Sequence, residues 1–224
     1  MGNLAFDAVL CDLDGVIRHY DLADVRRLER IAGLPEGATA EIAFAPERDL
    51  PLLLGRVSRA QWTASIAEAL TRRIPARQAG ALATAFAHAP FRADGAVVEL
   101  IRGLRGKVPV VVVTNATVWL DEDLALLGLT DLADHVVNSS RVGIAKPDPG
   151  IYRIAVERAG VPAGRCLFVD DNQANIDAAR AAGMTAVLYR DPSDLRRALA
   201  PVLGPDADVP AGEPAGEPAG PGRP

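Results

Sequence analysis

Residues 9–16 read VLCDLDGV, a hydrophobic run that ends in two carboxylates, Asp12 and Asp14, followed by Gly15. Such a run predicts a buried strand that leads into a turn. Alternate residues of a strand point to the same face, so we expect the two carboxylates to aim at one small volume. Two acids beside apolar residues repel each other and resist desolvation unless a cation lies between them. The pattern therefore indicates a functional site at the end of this strand.

Five β-rich runs alternate with helical patterns along the chain. The predicted strands are Phe6–Cys11, Val108–Thr114, His135–Asn138, Cys166–Asp170 and Thr185–Tyr189. The predicted helices are Gly95–Leu104, Trp119–Leu127, Gly150–Ala159, Gln173–Ala182 and Pro192–Leu199. The runs VPVVVVT and CLFVDD are continuously apolar before their polar ends, as in strands that helices cover on both faces. This alternation predicts an α/β fold whose core is a Rossmann-like, doubly wound parallel sheet.

Residues 20–90 interrupt the alternation, because they contain no convincing strand. They are rich in Ala, Leu and Arg at helical spacing, and Ser58 with Gln61 predicts a capping box. The segment is too long for a structureless loop, so we expect an inserted helical domain. Residues 204–224 repeat Gly-Glu-Pro-Ala and predict a disordered tail. The core is then expected to comprise residues 1–19 and 91–203.

Composition and charge argue against several classes of protein. The 224-residue chain carries a net charge of −5, so no basic surface indicates nucleic-acid binding. No apolar run reaches the roughly 18 residues that a membrane span requires. The first residues, MGNLAFDAVL, lack a basic region followed by an apolar one, which predicts no signal peptide. We therefore expect a cytoplasmic protein without a nucleic-acid or membrane partner.

Polar and charged groups follow four of the predicted strands. In chain order they are Asp12 with Asp14, Thr114 with Asn115, Lys146, and Asp170 with Asp171. Open α/β sheets bind ligands at the carboxyl ends of their strands, so we expect these groups to gather in one crevice. Several carboxylates beside one lysine form a net acidic cluster, and such oxygen ligands suit Mg²⁺. The cation and the lysine would neutralise a phosphoryl group, while one aspartate attacks it and another transfers a proton.

These residues lie in four motifs by which the chain resembles the haloacid dehalogenase-like (HAD) hydrolase superfamily over residues 6–199. The motifs occur in the order of that superfamily as LCDLDGV, VVVTNA, VGIAKPDPGIY and FVDDNQANIDAARAAGM. Each motif is short, but all four in order, each after a predicted strand, make a specific pattern. The helical insertion between the first two motifs resembles the cap of subfamily I. The KPDP sequence and the fourth motif resemble the phosphoglycolate phosphatase and β-phosphoglucomutase branch.

The resemblance implies catalytic roles for residues of the first three motifs. Asp12 corresponds to the nucleophile that forms an aspartyl-phosphate, and it is also expected to bind Mg²⁺. Asp14 corresponds to the general acid for the leaving group and then the base for water, and its backbone carbonyl would bind Mg²⁺. Thr114, together with Asn115, would bind the transferring phosphoryl group. Lys146 would bridge Asp12 and the phosphate by charge.

The fourth motif implies the remaining metal ligands. Asp171 aligns with the acid that usually binds Mg²⁺ directly. Asp170 is expected either to be a second ligand or to act through water. Asn175 occupies a position where many relatives carry another acid, which leaves the surroundings of the metal less well defined.

The activity implied by the resemblance is that of a Mg²⁺-dependent phosphatase acting on a small phosphorylated metabolite, as a monomer or homodimer. A sugar phosphomutase that uses the same phospho-aspartate is the nearest alternative. A 2-haloacid dehalogenase is disfavoured because such enzymes lack a catalytic acid at the position of Asp14. A non-catalytic binding protein is disfavoured because every key residue is retained. The identity of the metabolite stays open.

Residues of the predicted cap are the candidates for substrate recognition. Each is also compatible with an ordinary solvated charge, with core packing or, near the start of the cap, with hinge packing. The candidates are Glu47, Arg48, Arg56 and Trp62 within the cap, and His19 and Tyr20 where the chain leaves the core.

Overall fold

A computed structural model of the chain describes residues 6–204, so the predicted tail lies outside the described residues apart from Gly204. The strands in this range are β1 (Ala8–Cys11), β2 (Arg18–Tyr20), β3 (Phe91–Ala93), β4 (Val110–Thr114), β5 (His135–Asn138), β6 (Cys166–Asp170) and β7 (Thr185–Leu188). The five predicted strands are confirmed, with ends that differ by at most two residues.

Helices separate the strands of the described range from β2 onward, whereas a turn joins β1 to β2. The first five are α1 (Ala23–Ile31), α2 (Ala38–Ala43), α3 (Pro46–Leu53), α4 (Arg59–Leu70) and α5 (Ala76–Ala87). The others are α6 (Gly95–Arg102), α7 (Leu120–Leu126), α8 (Ser139–Val142), α9 (Pro149–Ala159), α10 (Gln173–Ala181) and α11 (Pro192–Leu203). A short 3₁₀ turn, Ala163–Arg165, precedes β6.

The central sheet has five parallel strands in the order β5-β4-β1-β6-β7. Its strands are apolar on both faces because helices cover both faces. In β1, Val9 and Cys11 belong to one hydrophobic cluster, whereas Ala8 and Leu10 belong to the cluster on the opposite face. The chain runs from β1 outward to β4 and β5, then returns to β6 and β7, so the strand order reverses beside β1. The predicted Rossmann-like α/β core is confirmed, and this reversal marks its ligand-binding crevice.

Between β2 and β3 the chain forms helices α1–α5, which enclose a third hydrophobic cluster that includes Trp62, Ile66 and Leu82. The predicted capping box is present, since Ser58 accepts a hydrogen bond from the backbone N–H of Gln61 and the Gln61 side chain accepts one from the backbone N–H of Ser58. The helical segment therefore has a core of its own, distinct from the two clusters of the sheet.

A two-stranded antiparallel ribbon joins this helical segment to the sheet domain, and the sequence did not predict it. Tyr20, expected at the start of a strand-free segment, is the last residue of β2 and pairs with Phe91 in β3. Their rings meet edge to face with centroids 5.7 Å apart. Each strand has three residues, which is too short for an alternating pattern to be visible.

Every helix within residues 6–204 is too short or too polar to cross a lipid bilayer.

Candidate active site

The carboxyl ends of β1, β4 and β6 open into one cavity of about 360 Å³. Its walls include most of the predicted site residues, namely Asp12, Asp14, Thr114, Asn115, Lys146 and Asp171. Asp170 is the exception, because it is fully buried behind the cavity at the end of β6. The sheet topology therefore brings together groups that lie up to 159 positions apart in the chain.

Lys146 connects the two innermost carboxylates. Its ammonium Nζ lies 2.8 Å from Asp12 Oδ1 and 2.7 Å from Asp170 Oδ2. Burial alone would lower the pKa of Lys146, but the two carboxylates outweigh that effect and raise it. The ammonium is therefore held in its charged form between two buried acids.

Asp12 is buried and is held at several points. Its backbone N–H donates to the Val169 carbonyl, and its Oδ1 accepts the Leu13 N–H at 2.7 Å. Burial raises the pKa of Asp12 well above its ordinary value; Lys146 opposes that rise, while Asp170 adds to it. The ionised form of Asp12 is thus costly in the metal-free site, and a further cation nearby would relieve that cost.

Three carboxylates could share such a cation. Oxygen atoms of Asp12, Asp170 and Asp171 lie within 4.8 Å of one another. Burial, with added repulsion from Asp170, raises the pKa of Asp171 to about 6, and Lys146 only partly offsets these effects. An all-oxygen set of acidic ligands that resist ionisation without a cation fits Mg²⁺.

The raised pKa of Asp171 makes a prediction about stability. Because its folded-state pKa is about 6 rather than 3.8, the Asp171 charge destabilises the metal-free fold above pH 6, and this penalty disappears as the pH falls below about 4. We expect Asp171→Asn to raise the free energy of unfolding at pH 7.5 by about 1–2 kcal/mol after discounting for solvent screening. At pH 4 the same substitution should change the free energy of unfolding only slightly. Urea unfolding with a chelator measures both values.

Asp177→Asn is the matched control for Asp171→Asn, because Asp177 lies exposed on the next helix. Its substitution should leave the stability at pH 7.5 nearly unchanged. A destabilised Asp171→Asn variant at pH 7.5 would contradict the expectation. Adding Mg²⁺ should stabilise the wild-type protein more than Asp171→Asn, since the variant lacks one of the three carboxylates that could share the cation.

Gly15 permits the close approach of Asp171 to the turn after β1. Its φ of +83° lies in the left-handed region, and a Cβ atom at this position would lie 2.1 Å from Asp171 Oδ2. A side chain at position 15 would therefore displace the Asp171 carboxylate. The sequence predicts a turn at Gly15, but this steric role depends on tertiary structure.

Thr114 is the last residue of β4, and it lies in the wall of the cavity. It is buried, and Oγ1 has no hydrogen-bond partner among the described residues. Buried hydroxyl groups normally have a partner, so an oxygen-rich ligand in the cavity would satisfy this one.

Two asparagines position charged residues of the site. The side chain of Asn115 accepts the backbone N–H of Lys146 at 2.8 Å and donates to the Lys146 carbonyl at 2.9 Å. Asn175 donates from Nδ2 to Asp170 Oδ1 at 2.9 Å. An ionised carboxylate at position 175 could not donate this bond, which gives a physical reason for an amide at this position.

Arg18 is a residue of the site that the sequence analysis missed. Its Nε and Nη2 donate to the two carboxylate oxygens of Asp14, at 2.6 and 3.0 Å, and its Nη1 donates to Asp123 at 2.7 Å. The arginine is 2% exposed, and its charge is balanced by these two acids. No local pattern marks Arg18, because Asp123 lies 105 positions away on α7.

The residues of the helical segment that line the cavity are not the ones predicted from the sequence. Asp49 and Leu53 of α3 line it, and the buried Ser139 hydroxyl donates to the Leu53 carbonyl at 2.7 Å. His19 and Tyr20 also line it, as the sequence analysis considered. Glu47 and Arg48 instead pair with each other at 2.6 Å and Arg56 is exposed, while Trp62 lines a second, adjoining cavity.

Comparisons with known proteins identify the family. The family model of the haloacid dehalogenase-like hydrolases matches residues 6–183. A phosphatase from Mycobacterium tuberculosis is 32% identical over 199 residues, which cover 83% of this chain and 88% of that protein. Six further curated relatives are matched over half of their own length or less.

Solved structures show the same fold. A HAD family enzyme from Bacteroides thetaiotaomicron, in complex with magnesium and inorganic phosphate, has a TM-score of 0.63 at 20% identity and covers 83% of this chain and 94% of that one. The L-2-haloacid dehalogenase from Xanthobacter autotrophicus has a TM-score of 0.59 at 20% identity, over 87% of this chain and 82% of that one. These likenesses concern the fold alone. With the family model matched over most of the chain, and with the carboxylates and lysine gathered at one edge of the sheet, the chain belongs to the haloacid dehalogenase-like hydrolases.

Proposed function

We propose that this hydrolase is a Mg²⁺-dependent phosphatase that acts on a small phosphorylated metabolite through an aspartyl-phosphate. One observation carries the proposal: Asp12, at the end of β1, faces the cavity while Lys146 holds its Oδ1 at 2.8 Å. A buried carboxylate oriented by a lysine and placed beside further acids suits nucleophilic attack on phosphorus. The relative named as a phosphatase supports the same chemistry.

We propose that Asp12, Asp171 and the backbone carbonyl of Asp14 hold the metal ion. Both oxygens of Asp170 already accept hydrogen bonds, from Lys146, Asn175 and the Asn172 N–H, so Asp170 suits an orienting role or contact through water. When bound, Mg²⁺ would supply positive charge to the phosphoryl oxygens. The magnesium and phosphate in the structurally similar bacterial enzyme are consistent with this assignment.

In the first half-reaction, a carboxylate oxygen of Asp12 attacks phosphorus. The new Asp12–phosphorus bond forms as the ester bond to the leaving oxygen breaks, and Asp14 gives that oxygen a proton. In this structure both oxygens of Asp14 accept hydrogen bonds from Arg18, so the acidic form of Asp14 must release at least one of them. The two hydrogen bonds from Arg18 are proposed to position the Asp14 carboxylate beside the cavity.

In the second half-reaction, water hydrolyses the aspartyl-phosphate. Asp14, now a carboxylate, accepts a proton from the attacking water; inorganic phosphate leaves and Asp12 is regenerated. The Thr114 hydroxyl and the Lys146 ammonium are proposed to hold phosphoryl oxygens through both steps. The Asn115 side chain, which binds both backbone groups of Lys146, is proposed to contribute by fixing the lysine at the phosphate.

The test is phosphate release from a panel of sugar phosphates, phosphoglycolate, nucleotides and p-nitrophenyl phosphate, with Mg²⁺ and with a chelator. We expect release that requires Mg²⁺. Turnover that needs a bisphosphate activator and returns an isomeric phosphate would instead identify a phosphomutase. Halide release from a 2-haloacid without metal would identify a dehalogenase. Absence of every one of these activities in folded protein would contradict an enzymatic role on these substrates.

A further inference from the structure

A second cavity, of about 230 Å³, lies between the helical segment and the sheet domain. We call it the aromatic chamber, because its walls contain Tyr20, Phe44, Trp62, Phe86, Phe91 and Trp119. These are six of the ten aromatic residues in the chain, which is only 4% aromatic overall. Such a concentration around one cavity indicates a surface that recognises apolar groups.

The aromatic chamber adjoins the candidate active site. Asp14, Arg18 and Tyr20 line both cavities. Asp14 is the proposed proton donor to the leaving oxygen, so a substituent on that oxygen lies at the boundary between the two cavities. The chamber is therefore placed to receive the alcohol portion of a phosphate ester.

Most charged groups of the chamber already have partners, and the other polar side chains in its walls are those of Tyr20, Thr117 and His88. Arg18 uses its donors on Asp14 and Asp123, and the Arg59 guanidinium stacks over the Trp119 ring, with Cζ 4.2 Å from the ring centroid. Each sugar hydroxyl desolvated without a partner would cost binding free energy. A ring packed against the aromatic walls carries no hydroxyl groups and avoids that cost.

Trp62 gives an independent sign that the chamber receives a ligand. Its side chain is 6% exposed, and its Nε1–H has no hydrogen-bond partner in the described part of the chain. Buried indole N–H groups normally find an acceptor. The face of an aromatic ring bound in the chamber is a weak acceptor for such an N–H group.

We propose, on the basis of the phosphatase function above, that the aromatic chamber binds the leaving-group alcohol of the substrate, and that this alcohol has an apolar body about the size of one ring. An apolar cavity of roughly 150 Å³ is enough for benzene, so 230 Å³ accommodates a ring with a short linker. The substrate class is then an aryl-alkyl or similarly apolar phosphate monoester rather than a sugar phosphate.

Ligand binding can be measured without turnover, because both tryptophans of the chain line the chamber. The probes are 2-phenylethylphosphonate and ethylphosphonate, which have no hydrolysable ester bond, in the presence of Mg²⁺. We expect the phenyl probe to change the tryptophan fluorescence and to bind about 10- to 100-fold more tightly, from the burial of one ring. Equal affinities, or tight binding of the phenyl probe without a fluorescence change, would overturn the proposal.

Kinetics supply the second test, with 2-phenylethyl phosphate and ethyl phosphate, whose alcohols are similar in acidity. We expect kcat/KM to favour the phenylethyl ester by about 10- to 100-fold. Ala87→Leu, which places a larger side chain in the chamber wall, should reduce this preference about fivefold or more. Ala81→Leu, at an exposed position of the same helix, should preserve the preference.

The outcomes separate the two proposals. Metal-dependent hydrolysis of both esters with equal kcat/KM would overturn the chamber assignment and leave the phosphatase function standing. Selective binding of the phenyl phosphonate without hydrolysis of any ester would support the chamber as a binding site and contradict the phosphatase function. A preference for the phenylethyl ester that Ala81→Leu reduces as much as Ala87→Leu would also count against the chamber.

Discussion

Asp12→Asn is expected to lower phosphate release by about 10⁴-fold or more while leaving the protein folded, because an amide cannot form the aspartyl-phosphate. The fold should tolerate the change. Burial makes the Asp12 charge costly, and a neutral amide avoids that cost. The amide oxygen can still accept the Leu13 N–H, and Lys146 keeps Asp170 as a partner at 2.7 Å. The loss of activity should therefore come without a comparable loss of stability.

Turnover under saturating Mg²⁺ and the melting temperature together test this prediction. Asp24→Asn is the matched control, since Asp24 is an exposed aspartate on α1 that pairs only with Arg27 among the described residues. It should keep full activity. Asp12 would be excluded as the nucleophile if the Asp12→Asn protein had the melting temperature of the wild type and still turned over at a tenth of the wild-type rate.

The sequence predicted the sheet and the position of the site because both depend on local patterns. Continuously apolar runs such as VVVV predict strands covered on both faces, and the parallel order of such strands places their carboxyl ends together. Asp12, Thr114 and Asp171 each follow or end a strand of this kind, so their convergence on one cavity was predictable from spacing alone. The acidic excess at that point predicted a cation for the same reason.

Features that depend on distant contacts were not predictable. Arg18 is one arginine among many in the sequence, and only the fold brings it to Asp14 and Asp123. Trp119 and Trp62 each fit a packing role in their own helical pattern, yet they line one chamber with aromatic residues from across the chain. The ribbon of β2 and β3 was missed because three-residue strands leave no periodic signal. Our proposal for substrate recognition depends on these distant contacts, whereas the proposed chemistry depends on motifs that are visible in the sequence.

Lys146→Met is expected to abolish measurable turnover and to reduce the free energy of unfolding of the metal-free protein by about 3–5 kcal/mol. Methionine is similar in length, so the change removes the charge and the hydrogen bonds with little loss of volume. Without the ammonium, Asp12 and Asp170 are left as two buried acids with no cation between them. Breaking a buried ion pair on one side costs far more than removing both partners, because an uncompensated charge remains. Urea unfolding with a chelator measures this loss of stability. Lys107→Met is the control, because Lys107 is the other lysine of the chain and is exposed.

The double variant Lys146→Met with Asp170→Asn separates the two roles of the lysine. Removing the Asp170 charge leaves a single buried acid, Asp12, so we expect the double variant to recover about half of the lost stability. Turnover should stay absent, because the amide at position 170 restores no positive charge at the phosphoryl group. If the double variant regained both stability and turnover, Lys146 would serve only to neutralise Asp170. If it regained neither, the destabilisation would arise from lost packing around the lysine stem rather than from unpaired charge.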